Sequence, residues 1–256
     1  YREYGVAAAL RGIGPGPGIF WSTGPVKQSI RTFAIADKEY VMTIGDKFKT
    51  GQGVSNPHYL LELEAYMSRH FSIEKANIAW AAQQYRPADH LPYLGRHSEE
   101  LSLLTGFSAD GLVYGVLGAM IIADDIHAIE NPWTKLFAPN RHTPLKSAKE
   151  FIKENLNSFR QYKDLLPGKL AHTYLAELLP GEGQIMEIGG EKLAVYKDEK
   201  GNCCACSALC THLQCVVHWN TAEKTWDCPC HGSRFSCNGA VIEGPALKNL
   251  PEKKLQ

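Results

Sequence analysis

The sequence predicts an α+β chain in three parts. A mixed region of antiparallel strands and helices (1–140) leads through a connecting helix (141–168) to a small all-β domain (169–256). Three observations carry that division. All eight cysteines lie between Cys203 and Cys237, so the first two hundred residues hold none. Strand-type and helix-type hydrophobic periods both occur upstream of them. Between the two parts, LKSAKEFIKENLNSFRQYKDLL (145–166) places apolar residues at helical spacing, and Pro167 and Gly168 end it.

Residues 11–25 are rich in glycine and proline and read as an irregular loop. Their GIGPGPG is no dinucleotide motif. A GxGxxG starting at Gly12 needs glycine where Pro17 stands, and prolines remove the N–H groups that hold a pyrophosphate. SIRTFAIA and YVMTIG flank DKE and predict a hairpin. Asn56 then predicts a helix cap, with Pro57 at the first helical position. Tyr59, Leu60, Leu63, Tyr66 and Met67 follow at helical spacing as far as about His70. Residues 78–85 read as another strand. GQIMEIGGEKLAVYKDEKGN reads as strand, glycine turn, strand and a second turn at 199–202.

A length of 256 residues with 44% hydrophobic content allows two domains with ordinary cores. The 27 basic and 27 acidic residues balance, which gives no electrostatic footprint for nucleic acid. No apolar run approaches the roughly 18 residues of a membrane span, and no signal-peptide pattern is present. The chain begins at Tyr1 without methionine, so the expectation is that an N-terminal portion precedes it. The bacterial cytoplasm is the expected compartment.

The chemistry concentrates in CTHLQC and CPCHGS. Cys210 and His212 form one pair, Cys228 and His231 the other, with fifteen residues between His212 and Cys228. Cys215 and Cys230 stand one beside each pair. Two thiolates on one iron and two neutral imidazoles on the other lower the negative charge of a [2Fe-2S] cluster and raise its potential above that of an all-cysteine site. Structural zinc is the competing reading, since two cysteines and two histidines also complete a tetrahedral ion. A zinc finger would pair Cys with Cys and His with His, and would have no use for two further cysteines at these offsets.

These segments resemble the Rieske domains of cytochrome bc complexes. The resemblance implies a Cys215–Cys230 disulfide clamping two cluster loops, and a Ser233 hydroxyl that tunes the potential by hydrogen bonding to a cluster sulfide. It also places Gly232 after the second histidine, Gly239 at a tight turn, and GPAL (244–247) as a third loop closing over the cluster. Phe235 stands where high-potential members carry tyrosine. A potential between the quinol-oxidising and oxygenase-type centres is therefore expected. Gln214 replaces a usual glycine. Cys203, Cys204, Cys206 and Cys237 are expected to pack as buried or half-buried thiols.

A second resemblance lies upstream. YRPADHLPYLGR and LSLLTGFSADGLVYGVLGAMIIADDI are similar to the C-terminal part of flavin-dependent amine and amino-acid oxidoreductases of the D-amino-acid oxidase superfamily. PGPGIFWSTG, DKFKTG, RPADHLPYLG, TGFSADG and ENPWTKLFAPNR occur in an order that resembles bacterial flavin oxidoreductases with a C-terminal Rieske domain. This implies FAD, approached by a loop over 105–112 with Gly106, Phe107, Gly111 and Leu112. A helix over about 113–126 would aim its N-terminus at the flavin's pyrimidine end, where its partial positive charge favours the anionic reduced ring. The family's N-terminal βαβ unit is missing from this sequence, so the flavin-oxidoreductase (DAO-like) region is incomplete. Arg86 offers a bidentate fork for a substrate carboxylate, against a structural anchor beside Pro87. Histidines other than His212 and His231 read as solvated or packed.

Together these readings predict an electron-transfer oxidoreductase. A small-molecule amine or amino acid reduces FAD, and the [2Fe-2S] cluster accepts the electrons singly and passes them to an unknown electron acceptor. The competing reading is a stand-alone Rieske carrier or quinol-oxidising subunit without flavin chemistry. A terminal oxygenase would need a further histidine-carboxylate iron site, and no histidine follows His231.

Overall fold

The computed structural model describes residues 1–24, 28–53, 56–141, 144–166 and 175–255. Pro167 and Gly168, expected to end the connecting helix, lie outside the described residues, as do His142 and His172. By contacts the chain falls into two compact units. Tyr1 with Gln83–Asn157 forms one, and Arg2–Ala82 with Ser158–Gln256 forms the other.

In the second unit, β1 (Arg2–Ala9), β2 (Ile19–Trp21), β3 (Gln28–Ile35), β4 (Lys38–Phe48) and β5 (Ile78–Gln83) make a five-stranded sheet in the order β2-β3-β4-β1-β5. β1 has strands on both sides and is buried along nearly its whole length. Its REYGVAAA shows no alternation, and the sequence reading assigned it no element. Gly5 is required there because a Cβ would overlap the Trp80 indole. The 11–25 loop reading needs a correction: Ile19–Trp21 is a short edge strand paired to Ser29–Arg31, its three side chains exposed. The predicted hairpin is β3–β4, which turns at Ala36 with φ 51°. Helix α1 (Asn56–His70) buries Leu63 and Met67 against Tyr4, Val6, Ile30, Val41 and Phe48. Phe48 stacks on Tyr59 with ring centroids 4.4 Å apart.

The other unit contains the hairpin β6 (Tyr93–Arg96) and β7 (Ser102–Thr105), then α2 (Gly111–Ile126) and α3 (Thr134–Phe137). Leu94, Ile121 and Phe137 form its core. Gly118 lets α2 approach the hairpin, since a Cβ there would overlap Leu104. A buried Arg141–Asp89 pair, 2.7 Å, ties the 86–92 loop down, and Arg141 also donates to the Leu91 and Pro92 carbonyls. Helix α4 (Pro144–Gln161) continues as a 3₁₀ turn over Tyr162–Leu165, which matches the predicted connecting helix.

After a second 3₁₀ turn, Leu175–Glu177, the chain is all β. β8 (Gly183–Ile188), β9 (Glu191–Lys197), β10 (Cys203–Ser207) and β15 (Glu252–Lys253) form one antiparallel sheet, ordered β15-β10-β9-β8. β11 (His218–Asn220), β12 (Thr225–Asp227), β13 (Arg234–Ser236) and β14 (Val241–Glu243) form the other, in sequence order. Ile185, Ala194, Cys206, Val217, Trp226, Phe235 and Leu250 pack in a common core. Both predicted turns are present: Gly189 and Gly190 have positive φ, and the Asp198 carboxylate accepts from the Lys200 and Asn202 N–H groups.

Within the second unit, β1 is fastened to the C-terminal sheets by a buried charge network. Arg2 donates to Glu223 at 2.6 Å, and Arg234 donates to the same carboxylate oxygen at 2.9 Å and to Asp227 at 3.1 Å. The Tyr4 hydroxyl donates to Asn220 at 3.3 Å. Burial, ahead of the neighbouring Glu223 carboxylate, holds that phenol well above its ordinary pKa. Among the described residues, no helix is long and apolar enough to cross a membrane.

Candidate metal centre

Two loops leave the same end of the C-terminal sheets. The first joins β10 to β11 and is closed by its own backbone: Cys210 N–H donates to Cys215 O at 2.9 Å, and Gln214 N–H to Cys210 O at 2.8 Å. Gln214 adopts φ 60°, the left-handed conformation that glycine takes without penalty. The loop keeps its turn despite the residue change. The second joins β12 to β13, with Cys228 N–H on Ser233 O at 2.8 Å, Gly232 N–H on Cys228 O at 3.0 Å, and Gly232 at φ 82°. A disulfide joins Cys215 to Cys230 across the loops, Cα atoms 6.4 Å apart.

The loops bring the four sequence-predicted ligand residues together as two pairs. Cys210 and Cys228 are buried and hydrogen bonded to each other. The Cys210 thiol is held below its ordinary pKa chiefly by that bond, against burial, with help from the His212 N–H, the Ser233 hydroxyl and the Leu213 N–H. The same bond and burial push Cys228 up. His212 and His231 are exposed, their rings 4.9 Å apart and perpendicular. Burial, then the neighbouring His212, pulls His231 below its ordinary pKa, which favours the neutral imidazole a metal needs.

Thiols and imidazoles do not converge on one point. Among the described residues, the sole group of three or more His, Cys, Asp or Glu ligand atoms within 4.8 Å of one another is Cys215, Cys228 and Cys230. Two of those sulfurs are joined as the disulfide and offer no thiolate. Separate thiol and imidazole pairs suit a two-iron cluster better than a single tetrahedral zinc, which would draw all four atoms around one ion.

Several surrounding groups hold the loops, and sequence reasoning found only Ser233 and the GPAL segment among them. Ser233 is buried and its Oγ accepts from Ala246 N–H at 3.0 Å, which ties the 244–247 loop to the second ligand loop. Ser158 donates to Cys230 O at 2.9 Å, and Tyr162 to Leu213 O at 2.7 Å. From the connection after β4, Gln52 donates to Pro229 O at 2.6 Å. Gly51, at φ 71°, packs so closely that a Cβ would stand 2.7 Å from Asp227 O and 2.7 Å from Pro229 N. His218 faces Gly51 O at 2.6 Å and Asp164 at 3.1 Å. These contacts join residues over a hundred positions apart or lie on unmarked helix positions, so no local motif signals them.

The family comparison decides between the remaining readings, since residues 170–254 match the model described as "Rieske [2Fe-2S] domain". The C-terminal part of the chain is a Rieske domain. Similarity extends beyond it. The chain is 31% identical over 240 residues, 92% of its length, to YhfW of Bacillus subtilis (strain 168), which is named as a Rieske 2Fe-2S iron-sulfur protein. It spans 47% of that relative. It is 42% identical over 76 residues to the cytochrome b6-f complex iron-sulfur subunit of Synechococcus sp. (strain JA-2-3B'a(2-13)), covering 30% of this chain and 40% of that protein. A solved structure, the plasma membrane Rieske protein PetC3 from Synechocystis PCC 6803, is 32% identical over 29% of this chain and 76% of its own, with a TM-score of 0.27.

The upstream candidates occupy one loop and the first turn of α2. Gly106 is buried at φ 78°, where a Cβ would meet Pro87 at 2.6 Å. Phe107 is partly buried and packs against the Leu94–Ile121–Phe137 core. Gly111 opens α2, two residues earlier than expected, and Leu112 is 87% exposed. Arg86 donates to the Gln84 amide oxygen at 3.1 Å and lies 4.8 Å over the Tyr1 ring, which is the anchoring alternative. One thiol departs from expectation: Cys204 is exposed, although it is a strand residue of β10 paired with Tyr196.

Proposed function

We propose that Cys210 and Cys228 hold one iron of a [2Fe-2S] cluster and His212 and His231 the other, and that the domain accepts electrons one at a time from an FAD-dependent dehydrogenase or oxidase acting on an amine or amino acid. The observation that carries the first part is the separation of a buried thiol pair from an exposed imidazole pair on two disulfide-linked loops. The cluster supplies a one-electron couple whose potential is raised by its imidazole ligands. The chain's own residues do the rest. The Ser233 hydroxyl and the His212 and Leu213 N–H groups stabilise negative charge on the Cys210 sulfur. The loops and disulfide keep the thiolates away from water, and the exposed imidazole edges give the path by which an electron crosses to or from a partner.

The flavin assignment rests on the upstream resemblance of the motifs between residues 15 and 141. The residues fit a backbone role. Gly106 and Gly111 bring no side chain to the loop, and the exposed first turn of α2 offers N–H groups and the positive end of the helix dipole to an anionic ring. The domain division follows the same reading, with 1–140 as part of the flavoprotein domain and 169–256 as the Rieske domain. The four cysteines outside the cluster loops, Cys203, Cys204, Cys206 and Cys237, stand as thiols, which supports a reducing compartment such as the bacterial cytoplasm.

The test is anaerobic mixing of the cluster-loaded protein, with and without added FAD, with a panel of amines and amino acids, followed by the spectrum of the reduced cluster. Reduction that requires both FAD and one of these substrates is the expected result. Reduction by a quinol without flavin would replace this reading with the stand-alone carrier.

A further inference from the structure

Four thiols lie outside the cluster loops, and two of them, Cys203 and Cys206, are accounted for by their own surroundings. Cys206 is buried, bonded to Ala194 O, and pushed up to about 12 by burial, so it stays protonated and sealed. Cys203 turns back toward Gly201 O of its own hairpin. Cys204 is exposed and reaches across to the opposite sheet, its Sγ 3.8 Å from the carbonyl oxygen of Cys237. Cys237, half-buried, sits in a tight turn fixed by Trp226 Nε1–H on its carbonyl at 3.1 Å and by Gly239 N–H on Ser236 O at 2.9 Å.

The two segments are in contact. Two residues further along each, a Cβ built on Gly239 would stand 3.3 Å from Cys206 Cβ. Paired half-cystines have Cβ atoms about 3.5–4.5 Å apart. The 3.3 Å distance belongs to the 206/239 pair; what brings Cys204 and Cys237 together is the 3.8 Å contact of the exposed Cys204 Sγ with the carbonyl oxygen of the half-buried Cys237. Cys204 also feels Cys237 electrostatically, which, after partial desolvation, raises its thiol pKa.

We propose that Cys204 and Cys237 form a second, reversible disulfide, made by exchange with a low-molecular-weight disulfide, at the end of the domain opposite the cluster. The exposed Cys204 thiolate attacks one sulfur of the small disulfide. A mixed disulfide forms on Cys204 and one small thiolate leaves. The Cys237 thiolate then attacks the Cys204 sulfur and releases the second small thiolate. Two protein thiols are oxidised, the small disulfide is reduced to two thiols, and the two protons of the protein thiols end on those two small thiols. The bond would staple β10 to the β13–β14 turn, joining the two sheets that carry the ligand loops.

The experiment incubates the cluster-loaded protein with oxidised or reduced glutathione, blocks free thiols with N-ethylmaleimide, and maps peptides without reduction. The expected result is a Cys204–Cys237 cross-linked peptide after oxidised glutathione only, lost again on reduction, with a higher melting temperature while it persists. In Cys204→Ser the cross-link disappears, and in Cys237→Ser a stable glutathione adduct remains on Cys204; an unchanged cluster spectrum shows that both variants fold. Alkylation of Cys204 and Cys237 separately after oxidation, or a cross-link from Cys203 instead, overturns the proposal.

Discussion

Gly51→Ala tests whether the turn between β4 and α1 braces the cluster loop. Gly51 has φ 71°, and its missing Cβ leaves room for Asp227 O at 2.7 Å, Pro229 N at 2.7 Å and the Cys228 carbonyl carbon at 2.9 Å. All three are backbone atoms of the loop that carries Cys228 and His231, so no flexible side chain can move aside. A left-handed alanine costs about 1–2 kcal/mol, and forcing a methyl into a packed site about 1–3 kcal/mol more. The combined loss of roughly 2–5 kcal/mol lowers the melting temperature by about 4–20 °C for a unit of this size. Iron per chain and the thermal melt are the assay. Loop displacement predicts lower iron retention together with the lower melt. Gln52→Ala, which removes only the bond to Pro229 O, is expected to cost about 1 kcal/mol and keep the iron. Full iron content in Gly51→Ala and a melt within a degree of the parent would refute the reasoning.

Three further outcomes follow from the same structure. Arg2→Met leaves Glu223 and Asp227 with Arg234 alone, and a double-mutant cycle with Glu223→Gln should show coupling. The single change is expected to cost about 3–5 kcal/mol, measured by chemical denaturation. Gln214→Gly relieves a left-handed side-chain residue on an exposed turn and is expected to stabilise by about 1 kcal/mol, with the cluster spectrum unchanged. Ser233→Ala removes one hydroxyl from the Cys210 sulfur and is expected to lower the reduction potential by roughly 20–65 mV, the one-electron equivalent of a net hydrogen bond, in protein-film voltammetry.

The cluster site was the most legible part of the chain because its chemistry is local. Each ligand pair lies within a few residues of one loop, and the extra cysteines flank the same residues that the structure joins by the disulfide. The β3–β4 hairpin and α1 were legible because their hydrophobic periods match one buried face. β1 was not, because a central strand buried on both faces, built from alanines and a paired arginine, has no period to read. Gly51, Gln52, Ser158 and Tyr162 were unreadable for a different reason. Each supports a ligand loop from a distant part of the sequence, and only the tertiary fold makes them neighbours.

Iron analysis of the purified chain together with its low-temperature EPR spectrum before and after dithionite tests the central claim most directly. About two irons per chain and a signal that appears only on reduction, of the type given by an imidazole-ligated [2Fe-2S] centre, are the predicted result. One zinc per chain with no reducible signal would contradict it.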